Sequence, residues 1–226
     1  MYYDYVMKRI LYHGSERIIR NPRYDYGEIH NDYGRGFYLT DDLEMGKEWA
    51  NRKTISGFVN KYQLDDNDLK QYDLRGKGVL VWIALLMHHR DIEPNVRELY
   101  RQRFDFLEEN YYPKEIDGFD IIIGYRADDA YFKFPMLFIQ NELSIERMEE
   151  IYKLGNLGLQ IVLKSEKAFS RIKFIEPPIN VKAAYYDKYR ARKNAADKRF
   201  EEIRIEEINS IHKTKIDDLI KEHDKR

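Results

Sequence analysis

Cysteine is absent from the 226 residues, and with it go disulfides, thiolate nucleophiles and zinc sites built on sulfur. Chemistry must then come from oxygen and imidazole groups. Long apolar runs are missing too. No stretch approaches the roughly 20 residues a helix needs to span a bilayer, and the opening MYYDYVMKRI lacks the basic-then-apolar layout of a secretory signal. A cytoplasmic address with no membrane partner is the expectation. Neither charge dominates, since 39 Lys and Arg meet 40 Asp and Glu for a net charge of -1. No global field draws the chain to nucleic acid, which leaves only a local basic patch open. What the chain does carry is tyrosine, 19 of them, among 43% hydrophobic and 35% charged residues. That composition suits a folded, soluble protein with one core, or one domain plus an appendage. An excess of tyrosine suits stacking surfaces and half-buried interfaces as well as ordinary strands.

Strand and helix signals are interspersed without regular βαβ spacing, which predicts an α+β fold. RILYHGS reads as a first strand ended by Gly14, and GRGFYLT as a second, with Phe37 and Leu39 on one face and Tyr38 and Thr40 on the other. DDLEMGKEWANRK follows as a helix capped by Asp41 or Asp42, with Leu43, Trp49 and Ala50 on its buried side. GFVNKYQLD predicts a strand, VLVWIALLMHHR a buried helix, and VRELYRQRFDFLEEN one amphipathic helix. FDIIIG is the clearest central strand; LSIERMEEIYKLG is a helix with Ser144 as cap and Gly155 as stop. LGLQIVLKSEKAFSRIKFI reads as strand, short helix and strand.

The prolines of EPPIN are expected to end regular structure, which places a boundary after Pro178: a domain over 1–178 and a charged, amphipathic helical tail over 179–226. From Val181 on, Tyr185, Tyr189, Phe200, Ile203, Ile208, Ile211, Leu219 and Ile220 recur at helical spacing. That stripe packs on its own domain, pairs with a second copy, or offers itself to a partner. The basic run KYRARKNAADKR within it is cancelled by EEIRIEE and is weak evidence for nucleic acid.

His-Gly-Ser at the end of a first strand, a glycine-flanked aromatic-Tyr-Leu-Thr strand and a helix holding Trp-Ala together resemble the His-Tyr-Glu type of the ADP-ribosyltransferase superfamily. More narrowly the chain resembles its DUF3990 branch, over roughly Arg9 to Phe174. The resemblance implies a split β-sheet core that binds NAD as co-substrate, without a metal. His13 would then bond the adenosine ribose, the Gly14 backbone would grip the nicotinamide amide, and Ser15 would add a polar contact. Tyr38 would stack on nicotinamide, with Gly36, Phe37 and Thr40 in the same cofactor wall. Read singly, each residue also fits a structural role in an ordinary strand.

The third motif departs from the pattern. Where such enzymes carry a catalytic glutamate, the matching strand offers Gln160, which can bond a sugar hydroxyl but can neither act as a base nor lend charge. Glu166 just beyond is the poorer candidate, since acids are common at helix N-termini. Asp129, or failing that Asp128, follows the central strand on a loop, and either can supply a carboxylate to the NAD slot or simply cap a turn. Arg126 can meet the pyrophosphate or pair with a neighbouring acid. His88 and His89 are adjacent, so their side chains diverge and suit no shared metal; His30, beside Asp32, fits a solvated loop.

The resemblance thus implies transfer of ADP-ribose from NAD to a protein, RNA or DNA, by a toxin paired with an antitoxin. Self-association or antitoxin binding through residues 181–226 is the expected partner contact. A catalytically weak NAD- or ADP-ribose-binding module, and an interaction protein acting through its tail, are the alternatives.

Overall fold

The computed structural model describes residues 8–51, 56–127, 131–153, 158–210 and 213–225. In chain order the strands are β1 (Arg9–Ser15), β2 (Phe37–Leu39), β3 (Gly57–Leu64), β4 (Gln71–Asp73), β5 (Ile121–Tyr125), β6 (Leu159–Leu163) and β7 (Ile172–Val181). The helices are α1 (Leu43–Ala50), α2 (Val79–His89), α3 (Pro94–Leu99), α4 (Arg101–Tyr111), α5 (Lys133–Ile139), α6 (Ile145–Lys153), α7 (Glu166–Ser170), α8 (Ala184–Asn209) and α9 (Ile216–His223). The fold is α+β, as the mixed signals predict.

Two sheets form the frame, β1-β3-β7 and β2-β6-β5-β4. The first is antiparallel throughout, and the second is antiparallel except where β4 runs parallel to β5. One antiparallel bridge joins them: Tyr12 N–H donates to Thr40 O at 2.8 Å, and Thr40 N–H returns to Tyr12 O at 3.0 Å. Strand alternation then sorts the side chains into layers. Leu11, Phe37, Leu39, Tyr62, Ile123, Ile161 and Leu163 fill the space between the sheets. Ile122 and Val162 point the other way, into a larger core with Trp82, Leu86, Phe134, Phe138 and Met148 of the helices. Each such aliphatic side chain taken out of water contributes about 1.5–3 kcal/mol.

Helix α1 covers the outer face of the first sheet. Asp42 caps it, accepting from Glu44 N at 2.8 Å and Met45 N at 3.3 Å, which satisfies backbone donors that the first turn cannot. Gly14 and Gly46 let helix and strand approach closely: a Cβ on Gly14 would lie 2.1 Å from Gly46 O and 2.4 Å from Ala50 N. The apolar α2 is buried nearly all round, as its sequence predicts.

Two expectations need correcting. The run from Val96 is not one helix: at Tyr100 the backbone leaves helical geometry (φ -113°, ψ 25°), separating α3 from α4. The prolines do not end regular structure either, because β7 continues through Pro177 and Pro178. It is an edge strand of its sheet, and its register slips there. Ile175 faces Lys61 and Ile179 faces Val59, so Glu176, Pro177 and Pro178 lie opposite Asn60 alone. Proline is tolerated at an edge and at a bulge because no ladder donor is needed.

Beyond β7, Ile203 of α8 and Ile216 and Ile220 of α9 are buried in the same core as α2. Arg103 grips Asp217 with two nitrogens at 2.7 and 2.9 Å. Lys188 and Arg192 reach Glu44 and Glu48 of α1 at 3.2 and 2.8 Å. Gly155 and Ile211 lie outside the described residues. Among the described residues no helix is long and apolar enough to cross a membrane.

Candidate functional site

The crossing of β1 and β2 organises the site. Successive residues of an antiparallel strand aim their N–H and C=O at opposite edges, so alternate residues share an edge. Tyr12 commits its pair to Thr40, the residue after β2, so Gly14, two residues on, directs its own pair off that same edge, beyond the bridge. His13 is fixed by the neighbouring strand: Nδ1–H donates to the Tyr38 carbonyl at 2.7 Å, and the ring stacks on Phe37 at 4.6 Å. A carbonyl only accepts, so the neutral ring carries its lone pair on Nε2. Ser15 closes a turn, its hydroxyl donating to Arg17 O at 2.5 Å and accepting from Asn60 Nδ2 at 3.2 Å. Asn60, buried at the β-bulge, also accepts from Ile19 N at 2.8 Å and thereby anchors the loop leaving β1.

On β2 the chain alternates between the two cores. Gly36 presses on β6, where a Cβ would lie 2.5 Å from Val162 Cγ1 and 2.8 Å from Leu163 O. Phe37 enters the space between the sheets. Tyr38 packs toward the helices, its hydroxyl donating to Gly34 O at 2.7 Å and accepting from Tyr33 N at 3.0 Å. Burial pushes its phenol well above the ordinary range, so it stays protonated. Thr40 is buried and accepts from Asp42 N at 3.1 Å, linking β2 to the cap of α1.

Tyr38, Thr40, Gln160 and Val162 share one face of the second sheet, since Tyr38 pairs with Val162 and the ladder continues toward Gln160. Gln160 is buried opposite Gly124. Its Nε2 donates at 3.1 Å to Oδ2 of Asp32, a residue not proposed for the site on sequence grounds. The same oxygen accepts from Ala127 N at 2.9 Å, and Oδ1 faces Arg90 Nη1 at 3.3 Å. Burial raises the Asp32 pKa to about 6; Arg90, the Ala127 N–H, Arg126 and Gln160 oppose the rise.

Arg126 is buried beside this cluster, its guanidinium 5.5 Å from the Trp49 ring centre. Among the described residues four buried side-chain atoms have no hydrogen-bond partner, the acceptors Gln160 Oε1, Asn51 Oδ1 and Glu207 Oε1 and the donor Trp49 Nε1. Groups of this kind are rare enough in folded proteins that each needs an explanation.

Gln160, Arg126 and the Tyr38 side chain therefore stand on the helical side of the second sheet. His13 and Phe37 stand on its inner side, joined to that group through the Tyr38 carbonyl. Asp128 and Asp129 lie outside the described residues. Glu166 is exposed in the first turn of α7, which Ser165 caps by accepting from Ala168 N at 3.1 Å. The adjacent histidines do not diverge as the sequence predicts: their rings meet edge to face, 4.7 Å apart, beside Tyr112. His88 meets Glu108 at 2.9 Å, whereas His89 packs against Gly34, and burial, His88 and Lys164 lower its pKa to about 3. His30 is exposed, its Nδ1 3.2 Å from His89 O. Among the described residues no group of three His, Asp or Glu is placed to hold a metal. Two surface hollows, of about 400 and 300 Å³, lie in the helical layer beside Arg103 and Arg97 and touch none of the site residues.

The architecture defines an α+β protein with two bridged sheets and a cluster of buried polar groups beside the bridge. The chain belongs to the family described as a protein of unknown function (DUF3990), whose model matches residues 9–174, from β1 into β7. No curated protein and no solved structure matches the chain.

Proposed function

We propose that this chain is an NAD-dependent ADP-ribosyltransferase, acting in the cytoplasm as the toxin of a toxin–antitoxin pair. One observation carries the reading: the Tyr12–Thr40 bridge leaves the Gly14 N–H and C=O directed off the β1 edge, next to a histidine locked onto β2. A carboxamide needs one donor and one acceptor side by side, and the N–H and C=O of one residue at a strand edge offer both. Nicotinamide is such a carboxamide. Gly14 would hold it, His13 Nε2 would accept from an adenosine ribose hydroxyl, and the segment of Gly36, Phe37, Tyr38 and Thr40 would bound the slot, with Phe37 on one face of the sheet and Tyr38 and Thr40 on the other. Ser15 lies at the mouth, and Arg126 would face the pyrophosphate. Gln160 Oε1 would accept from the nicotinamide ribose.

In the reaction the bond from ribose C1′ to the nicotinamide nitrogen breaks and its electron pair leaves with nicotinamide. An oxygen or nitrogen of a protein, RNA or DNA acceptor attacks C1′ and gives up its proton. Charge builds on the sugar, so a site that fixes the leaving group and places negative potential near C1′ accelerates the step. Asp129 or Asp128 would take the acceptor proton. A cognate antitoxin would engage the tail over residues 181–226.

The test incubates the purified chain with NAD labelled in its adenylate half and with cell protein, RNA and DNA. Nicotinamide release with label in one polymer class, lost in a folded His13→Ala variant, supports the proposal. NAD binding without release instead favours a binding module, to which the uncharged Gln160 would be suited. Neither binding nor release, in a folded sample, refutes both.

A further inference from the structure

We infer that Asp32 and Gln160 act as one unit, in which Asp32 is a positioning residue that orients the Gln160 amide so that Oε1 accepts a sugar hydroxyl, with the Asp32 charge one hydrogen bond behind it. The inference rests on the NAD reading for the ligand but not for the pair itself.

The pair follows from the partners of Asp32. Ala127 N–H, Arg90 Nη1 and Gln160 Nε2 all donate to it, at 2.9, 3.3 and 3.1 Å. A carboxylate that only accepts requires the NH₂ end of the amide, which fixes Oε1 on the opposite side. Oε1 is the atom left buried and unpartnered. Trp49 Nε1, a donor on the ring beside Arg126, is another such atom among the described residues. A ligand that satisfies Oε1 brings a donor, such as the hydroxyl of a sugar.

The pair also supplies what a lone glutamine lacks. A hydrogen bond from Nε2 to a buried anion polarises the amide toward Oε1, and in a low-dielectric site the charge is felt at the sugar. The charged and titratable groups facing Asp32 among the described residues are Arg90 at the end of α2, Arg126 after β5, and the phenols of Tyr33 and Tyr38. Both phenols stay neutral, so protonation of Asp32 itself switches the charge.

The experiment moves the carboxylate. Asp32→Asn and Gln160→Glu each break the pair, the first by removing the charge and the second by removing the donor. The double variant restores one amide facing one carboxylate. Nicotinamide release should fall about 100-fold in each single variant and recover at least ~10-fold in the double. NAD affinity in Asp32→Asn should change by less than about 3-fold. Without any ligand, the Gln160 side-chain amide resonance should titrate with Asp32 in wild type and stop titrating in Asp32→Asn. Equal turnover in wild type and Asp32→Asn, or a double variant no better than the singles, overturns the inference. An amide that titrates in a chain that ignores NAD refutes the NAD reading and leaves the pair standing, whereas an amide indifferent to pH refutes the pair.

Discussion

Adding one methyl group at Gly14 tests the geometry on which the slot depends. A Cβ there would lie 2.1 Å from Gly46 O, 2.4 Å from Ala50 N and 2.7 Å from Trp49 Cβ. Ordinary contacts of this kind begin near 3.4 Å, so the nearest atom must retreat by more than 1 Å. None of the three is the far end of a flexible side chain, and two are backbone atoms of α1. Strand β1 cannot yield, because it pairs with β3 from Arg9 to Ser15. Helix α1 must move instead, against the burial of Trp49 and Ala50 and the ion pairs of Glu44 and Glu48 with α8. Overpacking costs about 1–3 kcal/mol, and an obstacle made of backbone sets the upper end. In a domain of this size 3 kcal/mol corresponds to a Tm lower by roughly 6–12 °C. Gly76→Ala is the control, since nothing lies within 4 Å of the added Cβ; it should change stability by less than ~1 kcal/mol. Urea unfolding of the two variants beside wild type reads the difference. A Gly14→Ala chain as stable as wild type would show that α1 does not sit on β1 in this way.

Asp32 predicts a pH dependence of one sign. Its folded pKa of about 6 exceeds the unfolded value of 3.8, so its contribution to stability is complete below 3.8 and declines as pH rises through 6. The decline should total about 3 kcal/mol in the difference between wild type and Asp32→Asn, and a difference flat from pH 4 to 7 contradicts the burial argument. His89 has the opposite sign: depressed from 6.5 to about 3, it favours the folded state above 6.5 and loses that contribution as pH falls. Wild type against His89→Gln should slope by at most about 1.4 kcal/mol per pH unit, less where solvent reaches the ring. Tyr38→Phe leaves Tyr33 N–H and Gly34 O without their partner and should cost about 1–3 kcal/mol in urea unfolding. Ile216→Ala opens a hole at a fully buried position of α9 and should destabilise the whole chain by about 2–5 kcal/mol in one transition. A separate early transition for α9 would show that it does not share the core.

What could be read before the structure was local. The alternation of Phe37 and Leu39 against Tyr38 and Thr40, the Asp42 cap, and Gln160 on a strand follow from period and capping chemistry within a few residues. Asp32 was hidden because Asn-Asp-Tyr-Gly has the composition of a solvated turn. Its burial is set by Arg90, 58 residues on, and Gln160, 128 residues on. The route of β7 through two prolines depends on its lying at a sheet edge, which is a property of the assembled sheet. The stripe of the tail was visible as a pattern, but its seat against α1, α4 and α5 depends on surfaces made by other elements.

The most direct test of the account is a crystal structure with a non-hydrolysable NAD analogue. The account predicts the nicotinamide amide on Gly14 N–H and C=O, an adenosine ribose hydroxyl on His13 Nε2, and a nicotinamide ribose hydroxyl on Gln160 Oε1. An analogue seated elsewhere, as in the hollow beside Arg103 and Asp217, or absent at saturating concentration, would contradict it.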